Sequence, residues 1–275
     1  MKTIISLLLL TNIIFTSIPP TPADAAKPDD SAQLPVFMYH RILKHSSSND
    51  PYTITPDAFE RDLMYLRDNG YTTIGTAELL AYTEKGMPLP EKPVVLTFDD
   101  GYYNNIYYAA PLLEKYNMKA AIFVVGSFTE KSVKENAVSP NFSYILWEHM
   151  ENLPACFEIQ NHTWDMHHQS ARMGIRRKRG ESKPDYEKSL AYDLIKLNDK
   201  VEHHTGKRPV AFAIPFGLEE RWAYDVFKEQ GLKMCFCSEA GVSVIRRGEP
   251  ESINRLKRLL RSPGKSVEFL LKKYA

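Results

Sequence analysis

The chain has 275 residues, of which 43% are hydrophobic and 25% are charged, a balance typical of a globular protein with one large domain or two small ones. Its 35 basic and 34 acidic residues leave a formal net charge of +1. This balance provides no overall attraction to nucleic acid or to an anionic membrane, so we expect no nucleic-acid partner. Any electrostatic recognition must be local.

The amino-terminal segment has the layout of a secretory signal peptide, which we expect to comprise residues 1–25. Lys2 precedes an apolar run over residues 4–18, and small residues follow at Ala23 and Ala25. An uncleaved membrane anchor is the alternative, but the run contains polar residues and is short for a membrane span. We therefore expect a secreted or cell-surface protein.

Only three cysteines occur, Cys156, Cys235 and Cys237, so an exported chain of this length is not a disulfide scaffold. Cys235 and Cys237 lie two residues apart in a strand-like stretch and would point to one face of it. A metal-binding pair is the alternative, but the sequence offers no second pair to complete such a site. We expect both to be buried as small hydrophobic side chains.

Downstream of a linker over residues 26–34, the sequence alternates between strand and helix patterns. The first helix has Thr55 as its expected N-cap, Pro56 as its first residue and Gly70 as its stop. The predicted elements, in chain order, are a strand over LPVFMYH, a helix over TPDAFERDLMYLRDNG, a strand over YTTI, a helix over TAELLAYTEKG, a strand over PVVLTF, a helix over IYYAAPLLEKYN, a strand over AAIFVVG, a helix over YILWEHMENL, a strand over CFEIQNH, a long helix over DYEKSLAYDLIKLNDKVEHHTG, a strand over VAFAIPFG, a helix over RWAYDVFKEQG and a strand over LKMCFCSE.

This alternation implies parallel strands joined by helical crossovers, and one continuous run of such units predicts a single α/β domain of barrel type over residues 35–275. In such a barrel the reactive groups gather at the C-terminal ends of the strands. Asp99 and Asp100 follow the strand PVVLTF directly, and Gly101 can supply the turn that lets two adjacent acids converge. Three other strand ends carry unusual polar or turn residues, at Tyr39-His40-Arg41, Asn161-His162-Thr163 and Pro215-Phe216-Gly217.

Two histidines and one acid of this rim have the composition of a catalytic metal site. His162 and His167 are five residues apart, so they can share an ion only if the segment between them loops back. Two imidazoles and the Asp100 carboxylate would leave open positions, as in catalytic zinc sites, and Asp99 could then be the base. The simpler interpretation is that Asp-Asp-Gly is an ordinary turn and that the histidine-rich loop is solvated.

Four motifs together resemble the polysaccharide deacetylases of carbohydrate esterase family 4, which share the NodB-homology domain. These motifs are LTFDDGYYNN, the His-Thr-x-x-x-His segment, the strand end PFG and the opening MYHRI. The resemblance runs from about Pro35 to the C-terminus, and TPDAFERDLMYLRDNGYTTI ahead of LPEKPVVLTFDDG is typical of the branch that deacetylates biofilm poly-β-1,6-N-acetylglucosamine. It implies a distorted (β/α) barrel of seven strands.

The resemblance also implies residue roles. Asp99 would be the general base, and Asp100, His162 and His167 would bind one divalent ion, which we expect to be zinc, with cobalt, nickel or manganese as alternatives. His168 is the rival to His167, and the five-residue gap of the biofilm branch favours His167. The backbone N–H of Phe216 would stabilise the oxyanion.

The sequence departs from the family at two points. Many members have an arginine before the proline of the PFG motif, which orients the base, whereas Ile214 stands there in this chain. Many also end with a Leu-His motif whose histidine is the general acid, but no histidine follows His204. His40, at the end of the first strand, is therefore the expected acid, as the biofilm branch also implies; a rim histidine that only forms hydrogen bonds is the alternative.

Aromatic side chains beside the motifs are candidate platforms for sugar rings, although large aromatics near a barrel rim are often part of the core. Trp164 is the main candidate, and Tyr103 and Phe216 are further ones. The loop QSARMGIRRKRGESKP is strongly basic, so it either follows an anionic surface polymer or, as we expect, is a solvated mobile loop.

The sequence thus predicts an exported, metal-dependent enzyme that removes acetyl groups from N-acetylglucosamine units of a cell-surface polysaccharide. Peptidoglycan, chitin oligomers or acetyl-xylan are alternative substrates, since the motifs encode chemistry better than they encode the sugar. A carbohydrate-binding protein that kept the fold without turnover is an alternative of another class, suggested by the missing arginine and terminal histidine. We expect a monomer that associates peripherally with the cell envelope.

Overall fold

The computed structural model describes residues 30–47, 49–170 and 172–275. The predicted signal peptide over residues 1–25 lies outside these ranges, as do residues 26–29 of the predicted linker, whereas Ser31–Leu34 form a strand and not a linker. Residues Ser31–Ala275 form one unit, and the description that follows concerns that unit alone. No helix within the described ranges is both long and apolar enough to cross a bilayer.

Twelve strands occur in the part of the chain that the structure describes. They are β1 (Ser31–Leu34), β2 (Val36–Tyr39), β3 (Arg41–Ile42), β4 (Thr53–Ile54), β5 (Thr72–Thr73), β6 (Pro93–Phe98), β7 (Ala120–Val124), β8 (Phe157–Asn161), β9 (Ala211–Ala213), β10 (Met234–Phe236), β11 (Ser243–Arg246) and β12 (Leu259–Leu260).

Eight α-helices lie in the same residues. They are α1 (Pro56–Asp68), α2 (Thr76–Lys85), α3 (Ala110–Lys115), α4 (Gly126–Lys134), α5 (Trp147–Glu151), α6 (Lys183–Thr205), α7 (Ala223–Glu229) and α8 (Val267–Tyr274). A π-helical turn over Asn105–Ala109 precedes α3, and short 3-10 turns occur at Pro215–Gly217 and Pro250–Ile253.

The main sheet is parallel and curls as a barrel does. Its strand order is β10-β9-β8-β7-β6-β2-β12, and β5 pairs with β6 beside this path. A single bridge between Phe236 and Leu256 brings the segment ahead of β12 against β10, the first strand of the path. The predicted (β/α) barrel with seven parallel strands is confirmed.

The sheet is buried on both faces, which is why its strands are continuously apolar rather than alternating. Along β2, Phe37 packs in one hydrophobic cluster with Phe59 of α1, whereas the preceding Val36 packs in a second cluster with Phe236 of β10. Every residue of β6 is buried. The strand that carries the two acids is therefore held rigidly from both sides.

Helix α1 begins and ends as its sequence predicts. The Thr55 hydroxyl accepts a hydrogen bond from the Ala58 amide (3.2 Å), Pro56 is the first helical residue, and Gly70 adopts a left-handed φ of 74° just beyond the end. The helix predicted over IYYAAPLLEKYN is interrupted, because Pro111 cannot continue an α-helical hydrogen-bond ladder and instead occupies the first turn of α3. Cys156, Cys235 and Cys237 are buried and free, as predicted for the last two.

Candidate active site

Polar side chains from the ends of four parallel strands, β2, β6, β8 and β9, converge on one cavity of about 400 Å³. They come from the four strand ends that the sequence singled out. The walls of this cavity, which we call the catalytic cavity, include His40, Asp99, Asp100, His162, His167 and Phe216. Parallel strands bring these residues together because their C-terminal ends all lie at one edge of the sheet.

Three residues of this rim have a left-handed backbone conformation that residues other than glycine rarely adopt. The φ angle is 71° at Asp100, 78° at Thr163 and 56° at Phe216. Such a conformation costs roughly 1–3 kcal/mol per residue and persists only where the surroundings impose it. Gly101, predicted to supply the turn, has a left-handed φ of 75°, and Asp100 before it shares this conformation, which turns its carboxylate.

Asp100, His162 and His167 form a compact cluster of candidate metal ligands, with one ligand atom from each lying within 4.8 Å of the others. Asp100 Oδ1 lies 3.1 Å from His167 Nε2 and 3.6 Å from His162 Nε2. His168, the rival ligand, is exposed and lies outside the catalytic cavity. The loop between the two histidines does turn back, as a shared ion requires.

The hydrogen bonds around the cluster fit a bound divalent ion. His162 Nδ1 lies 2.7 Å from the Ala213 carbonyl oxygen, so this nitrogen donates its proton there and Nε2 keeps a free lone pair facing Asp100. The Asp193 carboxylate accepts hydrogen bonds from the backbone amides of Trp164 and Asp165 at 2.7 and 2.8 Å. These bonds hold the loop between the two histidines. Two imidazoles and one carboxylate are a donor set that zinc accepts.

Asp99 does not join this cluster but pairs with an arginine that the sequence had not revealed. Arg258 Nη1 donates to Asp99 Oδ1 at 2.7 Å and Nη2 donates to Oδ2 at 2.8 Å, and the arginine is fully buried. Its Nε donates to the Cys237 carbonyl at 3.0 Å, which fixes the plane of the guanidinium. Arg258 thus makes the contact with Asp99 that the resemblance had led us to expect from an arginine before the proline.

The two acids are ionised for different reasons. Burial by itself raises the pKa of Asp99, but the positive charge of Arg258 outweighs this and holds the pKa below its usual range. Burial also raises the pKa of Asp100, yet the neighbouring His162 and His167 side chains bring it well below its usual range. Both carboxylates are therefore charged at neutral pH.

His40 lies on the wall of the catalytic cavity, and its main chain is fixed by two asparagines of the LTFDDGYYNN motif. Asn105 Nδ2 donates to the His40 carbonyl at 2.7 Å, and Asn104 Oδ1 accepts the Ile42 amide at 2.9 Å. Burial lowers the pKa of the imidazole, and the nearby carboxylates of Asp100 and Asp99 only partly oppose this. His40 is accordingly neutral at pH 7 in the resting site.

The predicted aromatic platforms lie in different environments. Phe216 is 40% exposed at the cavity rim, with its ring 4.5 Å from that of His167. Trp164 lies outside the catalytic cavity, because its ring packs over Gly126 and Lys196 Nζ lies 4.0 Å from the ring centroid. Tyr103 also lies outside and stacks on His149 at 4.6 Å, whereas its neighbour Tyr102 lines the cavity.

The basic loop carries one buried ion pair, whereas the cations over residues 176–179 are exposed, as expected of a solvated segment. Arg172 is buried and forms an ion pair with Glu181. The second oxygen of that carboxylate accepts the Lys178 amide at 2.7 Å. This internal pair could not be found from the run of cations, because its acidic partner stands nine residues beyond Arg172.

A family model described as polysaccharide deacetylase matches residues 86–235, which is more than half of the chain. The poly-beta-1,6-N-acetyl-D-glucosamine N-deacetylase of Escherichia coli K12 is 25% identical over 87% of this chain, but the chain spans only 40% of the length of that relative. The enzyme of the same name from Staphylococcus aureus MRSA252 is 27% identical, covering 73% of this chain and 70% of its own.

Solved structures show the same fold. A de-N-acetylase from Aggregatibacter actinomycetemcomitans matches with a TM-score of 0.74 at 24% identity, covering 88% of this chain and 99% of its own. IcaB from Ammonifex degensii matches with a TM-score of 0.70 at 25% identity, over 88% of this chain and 97% of its own. Since the family model covers the strand ends that carry both acids and both candidate histidine ligands, the chain belongs to the polysaccharide deacetylase family.

Proposed function

We propose that this protein is an exported, metal-dependent hydrolase that removes acetyl groups from N-acetylglucosamine units of a cell-surface polysaccharide. One observation carries the proposal: a carboxylate paired with a buried arginine stands beside a three-residue cluster that suits a divalent ion. Amide hydrolysis needs these two parts together, because an acetamide is a poor electrophile and water is a poor nucleophile.

Asp100, His162 and His167 would hold the ion. A divalent ion bound there supplies Lewis acidity, which polarises the acetamide carbonyl and lowers the pKa of a water molecule. Asp99 takes the proton of the attacking water, and Arg258 keeps both of its carboxylate oxygens oriented during that transfer. The backbone N–H of Phe216 is our candidate donor to the oxyanion, since the left-handed turn there lies on the cavity rim.

The departing amine needs a proton, and His40 is our candidate donor. Because its pKa is lowered, His40 cannot start the cycle as a cation at neutral pH. We propose that it takes up the proton released to Asp99 and passes it to the amine nitrogen, so that acid and base act in sequence. The neutral imidazole can accept that proton because both of its carboxylate neighbours favour the charged form.

The relatives favour a polymer of N-acetylglucosamine as the substrate, with poly-β-1,6-N-acetylglucosamine as the first choice. Two relatives from different organisms carry that substrate in their names. Export follows from the predicted signal peptide over residues 1–25. A binding protein without turnover is less well supported than it was from the sequence, because the pairing of Arg258 with Asp99 and the position of His40 on the cavity wall supply candidates for the two roles that had none in their usual places.

The test is acetate release from N-acetylglucosamine oligomers of β-1,4 and of β-1,6 linkage, with product masses read in parallel. We expect release that stops with chelator and returns when Zn²⁺ is added, and we expect the β-1,6 oligomers to react faster. Binding without acetate release, in metal-loaded protein, would favour the non-catalytic alternative. Faster reaction of the β-1,4 oligomers would assign peptidoglycan or chitin instead.

A further inference from the structure

One cation of the catalytic cavity has no part in the chemistry proposed above. Arg41 follows His40 directly and lines the cavity, and its side chain is about one-third exposed (33%). The segment on which it stands, β3, pairs with β4 across a loop, so Arg41 and Tyr52 form one wall beside the proposed acid. Tyr52 packs its ring 4.7 Å from the His40 ring.

The Arg41 guanidinium is held in place by a hydrogen bond to Asp50, which is itself fixed by two further hydrogen bonds. Arg41 Nη2 donates to Asp50 Oδ2 at 2.7 Å. Asp50 is itself fixed, because its carboxylate accepts the Thr53 hydroxyl at 2.6 Å and the Tyr52 amide at 3.1 Å. The guanidinium carbon also lies 5.7 Å from the centroid of the Tyr102 ring, which offers its face to the cation.

One donor of this arginine is unused. Arg41 Nε is buried, and no acceptor within the described residues lies at hydrogen-bond distance from it; the same is true of His40 Nδ1 beside it. Buried polar nitrogens are almost always paired in folded proteins, so two adjacent unpaired nitrogens beside a cavity point to partners supplied by whatever fills it. An arginine presents several N–H groups in a rigid fork, which suits the oxygen atoms of a sugar.

We propose that Arg41 is a substrate-binding residue that donates hydrogen bonds to the oxygen atoms of the hexosamine whose acetamide reacts. This rests on the function proposed above. Tyr102 contributes the apolar part of the same wall, since its ring lies beneath the guanidinium and stacks on Tyr144 at 5.0 Å. Asp50 positions the arginine and does not itself touch the sugar.

The ion pair with Asp50 does not by itself account for the position of Arg41. That pair uses one of the three guanidinium nitrogens, at the outer edge of the wall, and both partners are about one-third exposed. An exposed pair of this kind contributes little to stability. A residue whose only task was that pair would not need to lie within the cavity or leave a buried nitrogen without an acceptor.

The test compares Arg41→Met with the wild type in steady-state acetate release from N-acetylglucosamine oligomers. We expect KM to rise about 10-fold or more, as for the loss of a hydrogen bond from a charged donor, with kcat within about 3-fold. Arg41→Lys keeps the charge without the fork and should lie between. Asp50→Asn should raise KM less than Arg41→Met, because the guanidinium is still present and loses only the carboxylate that positions it.

Arg67→Met is the matched control, since Arg67 is an exposed arginine paired with Asp68 on α1, outside the cavity, and should leave both constants unchanged. A KM for Arg41→Met within twofold of the wild type would overturn the proposal, as would a fall in kcat at constant KM. If Arg41→Met unfolds early, Arg41→Lys and Asp50→Asn are judged by the same criterion. If the wild type releases no acetate, the proposed function fails, and calorimetric binding of the same oligomers to wild type and Arg41→Met decides separately whether Arg41 binds the sugar.

Discussion

Two buried Arg–Asp pairs flank the last strand of the barrel, and only one of them faces the catalytic cavity. Arg258 binds Asp99 through two nitrogens, and three residues later Arg261 Nε donates to Asp62 at 2.6 Å. Neighbouring strand residues separated by an odd number point to opposite faces, so one arginine faces the cavity and the other faces α1. Nothing in the sequence distinguishes the two arginines, because both are cations in the run INRLKRLLRS.

What separates the pairs is the set of further partners. Asp62 also accepts the Tyr39 hydroxyl at 3.3 Å and the Val267 amide at 3.2 Å, so its oxygens are used up in joining β2, α1 and α8. Asp99 receives side-chain hydrogen bonds from Arg258 and faces the cavity beside the candidate ligand cluster. A buried ion pair is therefore not in itself a sign of catalysis. The informative feature is a carboxylate oxygen that a substrate can reach.

The Arg258–Asp99 pair lies beside the candidate ligand cluster, whereas the Arg261–Asp62 pair does not. The largest loss of acetate release should follow from disrupting that cluster. His167→Ala takes away one of three donors, so we expect bound zinc to be lost and acetate release to fall below detection. His168→Ala is the matched control, because this neighbour is exposed outside the cavity, and it should keep both. Metal analysis together with acetate release checks this, and equal effects of the two changes would contradict the assignment of His167.

Asp99→Asn should cut turnover by about 10²- to 10⁴-fold, because an amide cannot accept the proton of the attacking water. Zinc content and the circular dichroism spectrum should be unchanged, since Asp99 is not a ligand and the substituted side chain has the same shape. Kinetics at saturating oligomer and metal analysis are the measurements. Loss of zinc in this variant would exchange the roles of Asp99 and Asp100.

Asp62→Asn should lower stability without lowering turnover, whereas Asp99→Asn, which leaves Arg258 without its anion in the same way, should lower both. The change at Asp62 leaves Arg261 buried without its anion, and breaking a buried pair in this way lowers the free energy of unfolding by about 3–5 kcal/mol. Acetate release by the folded fraction should stay within about twofold of the wild type. Urea unfolding followed by fluorescence gives the first quantity, and a normal midpoint with reduced turnover would reverse the comparison between the two pairs.

Arg258→Met should lower turnover by about 10- to 100-fold, the usual range for residues that orient a group at a metal site. The base remains but is no longer held by two hydrogen bonds, and the pKa of Asp99 rises because the compensating charge is gone. Arg258→Lys should recover only part of the activity, since one ammonium cannot reproduce the bidentate contact. Full activity in the methionine variant would show that Asp99 needs no orientation.

The smallest effect concerns Asp193, a buried carboxylate that binds two backbone amides and no arginine. Burial raises its pKa to about 6, so the folded protein binds more protons here than the unfolded chain does between pH 4 and 6. The stability that this proton contributes is present at low pH and is lost as pH rises through 6. From pH 5 to pH 7 the wild type should lose about 1 kcal/mol relative to Asp193→Asn. Urea midpoints of both proteins at the two pH values test this, and parallel changes would contradict it.

Much of the barrel and most of the site follow from the sequence, because both depend on local patterns. A buried apolar run such as PVVLTF predicts a strand, the residues after it fall at the rim, and Thr55 with Pro56 marks a helix start. The same reasoning places the candidate ligands and the candidate base at the rim, since each follows a recognisable strand.

The arginine pairs could not be predicted, because their partners are 159 and 199 residues apart and no period connects them. The strand that they flank, β12, has only two residues and no alternation to detect. The ion pairs of Arg41 and Arg172 were missed for a related reason, because a cation is expected to be solvent-exposed until its carboxylate partner is located in space. The left-handed φ of Phe216 was not predicted either, since phenylalanine rarely adopts it, and that of Asp100 is only an occasional conformation of aspartate.

The position of β12 has a consequence for the order in which the Arg258–Asp99 pair can form. Leu259 and Leu260 pair with Phe37 and Met38 of β2, so two segments far apart in the chain must meet before the sheet is complete. Arg258 immediately precedes that pairing. The Asp99 carboxylate therefore receives both of its hydrogen bonds from Arg258 only when β12 has docked on β2, so its orientation depends on a long-range contact and not on β6 alone.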